Sequence, residues 1–139
     1  MTQDDPQASK RPQRPLSPHI QIYKREINMV MSILPRITGA ALYFGTVLLA
    51  WWLVAAASGP EHFNRANGLL ASPLGLLVMF GFTWALMHHL LGGVRHLIWD
   101  TGWGFDLESI DRISWATAIG SAVLTVGIWL WAIFGKGGL

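Results

Sequence analysis

The stretch SPLGLLVMFGFTWALMHHLLGGV, residues 72–94, runs for 23 residues without an Asp, Glu, Lys or Arg. About 20 such residues form a helix long enough to cross a hydrocarbon layer of roughly 30 Å. Backbone groups in lipid must pair internally, so the run is expected to be a helix. Two similar runs flank it, at residues 37–58 and 113–134. We therefore predict an all-α membrane protein with three transmembrane helices, at about 33–58, 72–100 and 113–134.

The composition of the 139-residue chain supports this prediction. Hydrophobic residues make up 52% of it and charged residues only 13%, which leaves little polar surface for a soluble fold. The chain has no cysteine, so it can hold no disulfide, thiolate zinc site, iron–sulfur cluster or covalently attached haem. The net charge of +2 is too small to indicate nucleic-acid binding.

The region before the first span divides into two parts. Residues 1–16 are polar and proline-rich, which predicts a disordered cytoplasmic tail ahead of a membrane anchor domain at 17–139. Residues 17–34 mix apolar and basic positions and are expected to lie along the membrane surface. Pro35 is expected in the first turn of the first span, where its missing amide has no partner to lose. An earlier helix start would place a kinking proline inside the helix.

Basic residues predict the orientation of the chain in the membrane. Eight of the ten lie before the first span or beside the connector at 101–112. The positive-inside tendency therefore places the N-terminus and this connector in the cytoplasm, and the C-terminus on the other side of a bacterial inner membrane.

The end of the second span carries a group of titratable residues. At about 100° per residue, taking His89 as zero, Gly93 falls near 40°, His96 near −20° and Asp100 near 20°. These four residues share one helix face, while His88 lies about 100° away on another.

The depth of His89 suggests a function for that face. It lies 11 residues before Asp100, roughly 16 Å along the helix axis, close to the bilayer middle. Haem is flat, largely apolar and needs an axial histidine, and Gly93 one turn later would let a porphyrin lie against the backbone. Other interpretations stay open: His89 as a hydrogen-bonded packing residue, His88 as the ligand, or a small structural or transport protein with a polar cavity.

Three motifs point to one family. RPLSPHIQIY (14–23), SILPRITG (32–39) and HLLGGVRHLIWD (89–100) together resemble the cytochrome b subunit of succinate dehydrogenase, the larger membrane anchor of respiratory complex II. The resemblance covers roughly residues 14–134, with three spans in the family order.

The resemblance implies a haem b site shared between subunits. His89 corresponds to the family's haem-ligating histidine, and the second axial histidine comes from a separate anchor subunit. Arg95 and His96 look like partners of the haem propionates. Family members usually carry a histidine immediately before Arg36, where this chain has Pro35. This departure leaves Arg36, Arg95 and His96 to neutralise the propionates.

The resemblance also implies a quinone site and partners. Ser32 and Arg36 match the family's ubiquinone-binding serine and arginine, and Asp100 is expected to pair with Arg36 beside that site. The chain would not be catalytic alone. It would pack with the second anchor in membrane lipid and receive electrons from an iron–sulfur subunit docked beside a flavoprotein subunit. A fumarate reductase anchor is the alternative within the family, because only the direction of the reaction differs.

Overall fold

Four helices make up the part of the chain that the computed structural model describes, residues 15–135. They are α1 (Ile27–Ala57), α2 (Pro60–Leu70), α3 (Pro73–Asp100) and α4 (Leu107–Phe134), and no strand occurs within the described residues. The three longer helices have the length and apolar composition needed to cross a membrane. The prediction of an all-α protein with three transmembrane helices is confirmed.

Local capping explains where α3 and α4 begin. The Ser72 hydroxyl accepts a hydrogen bond from the Gly75 amide at 3.1 Å, and Pro73 follows at the first helical position, where its missing amide costs nothing. The Asp106 carboxylate accepts the Ser109 amide at 2.9 Å in the same way. Each cap satisfies one of the amides that a helix start leaves without a partner.

Helix α1 begins earlier than the span expected from residue 33. Residues 15–26 are exposed and contain only a turn, and the helix starts at Ile27. Pro35 therefore lies inside α1 and not in its first turn as predicted, and it supplies no amide to the carbonyl one turn before it. Most of the predicted disordered tail, residues 1–14, lies outside the described residues.

Helix α2 had no counterpart in the sequence prediction, which left residues 59–71 as a connection. Gly59 has a φ of 112°, a conformation that favours glycine, and turns the chain from α1 into α2. The Trp52 indole of α1 donates to the Asn67 side-chain oxygen at 2.9 Å, and its ring packs against Phe63 at 5.6 Å. Since α2 has 11 residues and only a few apolar ones, it does not stand out beside the long uncharged runs on which the prediction was based.

The interior of the bundle is small and polar, with α3 packed against both α1 and α4. Close approach depends on glycine: a Cβ on Gly45 of α1 would lie 1.8 Å from the Phe82 ring of α3. A Cβ on Gly120 of α4 would lie 3.0 Å from Leu91. Helices in lipid associate through this kind of packing and through hydrogen bonds. The buried polar side chains are Thr38, His88, Arg95, Ser114, Thr117, Ser121 and Thr125.

Candidate functional site

One face of α3 stays open in this chain. His89, Gly93, His96 and Asp100 are all exposed, as their spacing of about 100° per residue predicts. The neighbouring faces of the same helix are covered by α1 and α4. The open face therefore combines two imidazoles and a carboxylate with a position that has no side chain.

The His89 ring is held from the side by the backbone of α1. Its Nδ1 lies 3.2 Å from the carbonyl oxygen of Pro35 and 3.4 Å from the Thr38 hydroxyl. A carbonyl oxygen only accepts hydrogen bonds, so Nδ1 carries the proton in that contact. The ring also lies close to Gly39, where a Cβ would be 3.2 Å from Cε1. In a neutral ring this leaves the lone pair of Nε2 available to bind a metal.

Gly93 leaves a gap one helical turn beyond His89. A Cβ built on Gly93 would meet no heavy atom of this chain within 4 Å. The backbone of α3 is therefore open to contact beside the imidazole. A flat group could lie against the helix at this point without displacing any side chain of the described residues.

The donor set of the face limits what it can bind. The described residues contain no group of three or more His, Asp or Glu side chains placed to hold a metal ion. A single imidazole does not make a closed protein site for a bare ion, which takes about four ligands for zinc. It suits a metal that brings its own equatorial ligands.

His88 points away from the open face. It is 1% exposed, its Nδ1 lies 3.3 Å from the Ser121 hydroxyl of α4, and its ring stacks on Trp84 at 5.3 Å. Its Nε2 has no hydrogen-bond partner among the described residues. The two adjacent histidines therefore face different neighbours, and only the ring of His89 is exposed.

Arg95 also lies away from the open face, between all three long helices. It is 3% exposed. One guanidinium nitrogen donates to the Met31 carbonyl oxygen of α1 at 2.6 Å, and the other donates to the Ser114 hydroxyl of α4 at 3.4 Å. Its carbon centre lies 4.8 Å from the Trp99 ring centroid, over that ring. The role in binding propionates stays a prediction, because the guanidinium is engaged within the bundle here.

The residues predicted for a quinone site lie on two helices. Ser32 and Arg36 are exposed on α1, and Asp100 is exposed at the last residue of α3. The expected pairing of Arg36 with Asp100 is not formed: the salt bridges among the described residues join Arg65 to Glu61 and Arg112 to Glu108. The roles of Ser32, Arg36 and Asp100 in binding quinone stay predictions, as does the role of His96 in binding a propionate.

Two backbone contacts of this region had no prediction from the sequence. The Pro35 carbonyl holds His89, and the Met31 carbonyl receives Arg95. A carbonyl oxygen is present at every residue, so no residue type indicates which one is used. The proline is a signal for the second contact, because a helical proline deprives the carbonyl four residues earlier of its donor.

Comparisons with known proteins agree with the motifs. Residues 10–128 match the sequence model of the Succinate dehydrogenase/Fumarate reductase transmembrane subunit family. The succinate dehydrogenase cytochrome b556 subunit of Paracoccus denitrificans is 47% identical over 113 residues, which cover 81% of this chain and 87% of that protein. The same subunit of Rickettsia bellii is 37% identical over 117 residues, covering 84% and 91%.

A mitochondrial protein is similar over nearly the same length. The succinate dehydrogenase cytochrome b560 subunit of Sus scrofa is 36% identical over 117 residues, which cover 83% of this chain and 69% of that protein. The family match spans most of the chain and includes α1, α2, α3 and the greater part of α4. This chain therefore belongs to the family of succinate dehydrogenase/fumarate reductase transmembrane subunits, as a cytochrome b membrane subunit of succinate dehydrogenase.

Proposed function

We propose that this chain is the anchor of a succinate:quinone oxidoreductase that binds haem b jointly with a second anchor and forms part of the ubiquinone reduction site. The observation that carries the proposal is the exposed imidazole of His89, whose Nδ1 is held by the Pro35 carbonyl at 3.2 Å. Beside it lies the gap at Gly93. The relatives described above are named cytochrome b556 and b560 subunits.

The residues present fit haem b. A b-type haem is held without a covalent bond, and the chain has no cysteine for thioether links. His89 would hold the haem iron through Nε2, and the contact of its Nδ1 with the Pro35 carbonyl would raise the basicity of the ligand and fix the ring. When bound, haem supplies a one-electron redox centre. Gly93 gives the ring access to the helix backbone, and His96 lies on the same face for a propionate.

The open face of α3 supports a haem site shared between two chains. At the depth of His89 the described residues offer one imidazole on the open side of α3, because His96 lies about two turns further along the helix and His88 is buried against Ser121. As the family resemblance implies, a second histidine for the haem iron would come from another chain that covers the face. That chain is the second anchor subunit in our proposal. The exposed apolar side chains of all three long helices meet this subunit or membrane lipid.

The quinone would bind at the N-terminal part of α1. Ser32 and Arg36 are exposed there, four residues apart and thus on one side of the helix. The Ser32 hydroxyl can donate to a quinone carbonyl, and the Arg36 guanidinium can stabilise negative charge as the ring is reduced. Asp100 lies at the same end of the bundle, where α3 ends. An iron–sulfur subunit next to the flavoprotein subunit would deliver the electrons.

The proposed orientation puts this end of the bundle in the cytoplasm. Lys24, Arg25, Arg36 and Arg112 lie at the end of the bundle where α1 and α4 begin and α3 ends. Arg65 lies in α2 at the opposite end. The positive-inside tendency then places the C-terminus on the periplasmic side. Quinone reduction would occur on the side from which protons and electrons arrive.

Two matched histidine variants test the proposal. In the purified complex, we expect His89→Leu to abolish the reduced-minus-oxidised b-type absorption, because it removes the one exposed imidazole of α3 at that depth. His88→Leu is the control: it removes a buried ring that packs on Trp84, so it should lower stability and keep the spectrum. Loss of the absorption in His88→Leu with its retention in His89→Leu would reassign the ligand and refute the geometry argued above.

A further inference from the structure

We propose that Arg95 is a positioning residue that replaces a backbone hydrogen bond removed by Pro35. In this way it fixes the first turns of α1, which carry Ser32 and Arg36, against α3 and α4. The effect on quinone rests on the proposed function, whereas the hydrogen-bond replacement depends only on the contacts of this chain.

The missing hydrogen bond lies at Met31. In a regular α-helix the carbonyl of residue 31 accepts the amide of residue 35, but Pro35 has no amide hydrogen. Pro35 lies well inside α1, where such a loss leaves a carbonyl without its helical donor. Met31 itself is 3% exposed, so water has little access to that oxygen. A buried carbonyl without a donor costs about 1–3 kcal/mol.

Arg95 supplies the donor at that oxygen. Its guanidinium nitrogen lies 2.6 Å from the Met31 carbonyl oxygen, which is short even for a hydrogen bond from a charged donor. Gly92, one turn before Arg95, packs against the same proline: a Cβ there would be in ordinary van der Waals contact with the Pro35 ring at 3.5 Å. The proline that removes the hydrogen bond and the arginine that replaces it therefore meet at the same contact between α1 and α3.

The surroundings of Arg95 give its charge no other strong partner. Among the described residues it contacts no carboxylate; its remaining partners are the Ser114 hydroxyl and the Trp99 ring. A buried charge is stable only when dipoles or π-systems compensate for lost hydration. The Met31 carbonyl is the shortest of these contacts. Arginine and carbonyl thus depend on each other.

A second connection holds the same part of α1. The Ser114 hydroxyl donates to the Asn28 side-chain oxygen at 2.8 Å, and the Asn28 amide donates to Asp111 at 3.0 Å. Asn28 and Met31 lie in the turn just before Ser32. Arg95 contacts Met31 directly, and it contacts Asn28 through Ser114. Removal of Arg95 should therefore shift the start of α1, and with it the residues proposed to bind quinone.

A double-mutant cycle tests the replacement of the hydrogen bond. Arg95→Gln is made in the parent complex and in Pro35→Ala, whose new amide can donate to the Met31 carbonyl. The readout is the lifetime of the assembled complex on heating, followed by size-exclusion chromatography, which needs neither haem nor quinone activity. We expect Arg95→Gln to shorten the lifetime at least about fivefold more in the parent than in the Pro35→Ala background.

A second proline provides the control for the cycle. Pro73 lies at the first helical position of α3, where its missing amide deprives no carbonyl. Pro73→Ala should therefore leave the effect of Arg95→Gln unchanged. If Arg95→Gln prevents assembly, Pro35→Ala should restore it. An equal loss in the parent and in the Pro35→Ala background, or no restoration, would overturn the replacement.

Steady-state kinetics test the positioning step. We expect Arg95→Gln to raise the KM for quinone roughly tenfold, since small displacements of binding groups have effects of this order or larger. Dye-linked succinate oxidation should stay unchanged, and Pro35→Ala should restore part of the KM. Suppose that the KM for quinone is unchanged while Arg95→Gln still shortens the lifetime more in the parent than in the Pro35→Ala background. This result would overturn the positioning role and retain the hydrogen-bond replacement. A parent complex without quinone reduction would instead refute the proposed function, while the lifetime cycle would still report on Arg95.

Discussion

Filling the gap at Gly93 tests the haem site by a change that this chain itself tolerates. Gly93 and Gly81 are both exposed on α3, and a Cβ at either position meets nothing within 4 Å. We therefore expect leucine to be tolerated at both positions within this chain, and helix propensity favours leucine over glycine by about 0.8–1 kcal/mol. We would then attribute a loss of haem in Gly93→Leu to a clash of the leucine with haem itself or with the proposed partner subunit that covers this face.

The structure sets the size of the expected effect. Gly93 lies four residues after His89, about 6 Å along the helix axis, whereas Gly81 lies eight residues before it, about 12 Å away. A leucine side chain at Gly93 would occupy space that we assign to the porphyrin. Overfilling a packed site costs about 1–3 kcal/mol. Because each 1.4 kcal/mol is a factor of ten, haem should be held about 5- to 150-fold more weakly in Gly93→Leu.

Haem retention in the assembled complex is the measurement. The rate of haem transfer to an excess of a haem-scavenging protein is compared for parent, Gly93→Leu and Gly81→Leu, with the b-type absorbance normalised to the amount of chain. Dye-linked succinate oxidation shows whether the complex is intact. We expect faster transfer or less haem in Gly93→Leu only. Equal retention in the two leucine variants would refute the argument that haem lies against Gly93.

Three further predictions concern packing, capping and quinone reduction. Gly45→Ala should lower the thermal stability of the complex by about 1–3 kcal/mol, because its Cβ would lie 1.8 Å from the Phe82 ring; Phe82→Leu should restore part of the loss in a melting experiment. The hydrogen bonds from Ser109 lower the pKa of Asp106, so its stabilising effect is complete above the ordinary pKa of an aspartate and is lost as the pH falls through the lowered value. Asp106→Asn should therefore flatten the dependence of stability on pH below about 4, and an unchanged slope would rule out this cap as its source. Arg36→Ala should impair quinone reduction far more than dye-linked succinate oxidation, and an equal loss of both activities would argue against its place at the quinone site.

The fold was predictable because its main features depend on the order of residues along the chain and not on contacts between distant residues. Long uncharged runs need only their length to indicate three spans, and the spacing of His89 and Gly93 needs only the helical repeat to place them on one face. Helix α2 escaped prediction because its 11 residues are stabilised by contacts with α1, such as that of Asn67 with Trp52. Those contacts depend on how the chain folds back at Gly59.

The sequence indicated which side chains to consider for the candidate site, but not which groups they contact. The resemblance and the helical repeat selected His89, whereas its orientation depends on a backbone oxygen of Pro35. Arg95 is a clearer example of a contact that the sequence does not predict. Its position in the motif suggested a ligand contact, but its direction is decided by a vacant hydrogen-bond acceptor on another helix. Such acceptors arise from the local backbone, and side-chain spacing does not report them.

The opposed orientations of His88 and His89 have a consequence for the order of assembly. One imidazole is engaged by Ser121 of α4 and the other by Pro35 of α1, so rolling α3 about its own axis would break both contacts at once. Contacts with α1 and α4 of the same chain thereby fix the rotation of α3 about its axis. The second anchor subunit of our proposal would therefore dock against a helix whose rotation is already fixed, and any adjustment would have to occur in that subunit.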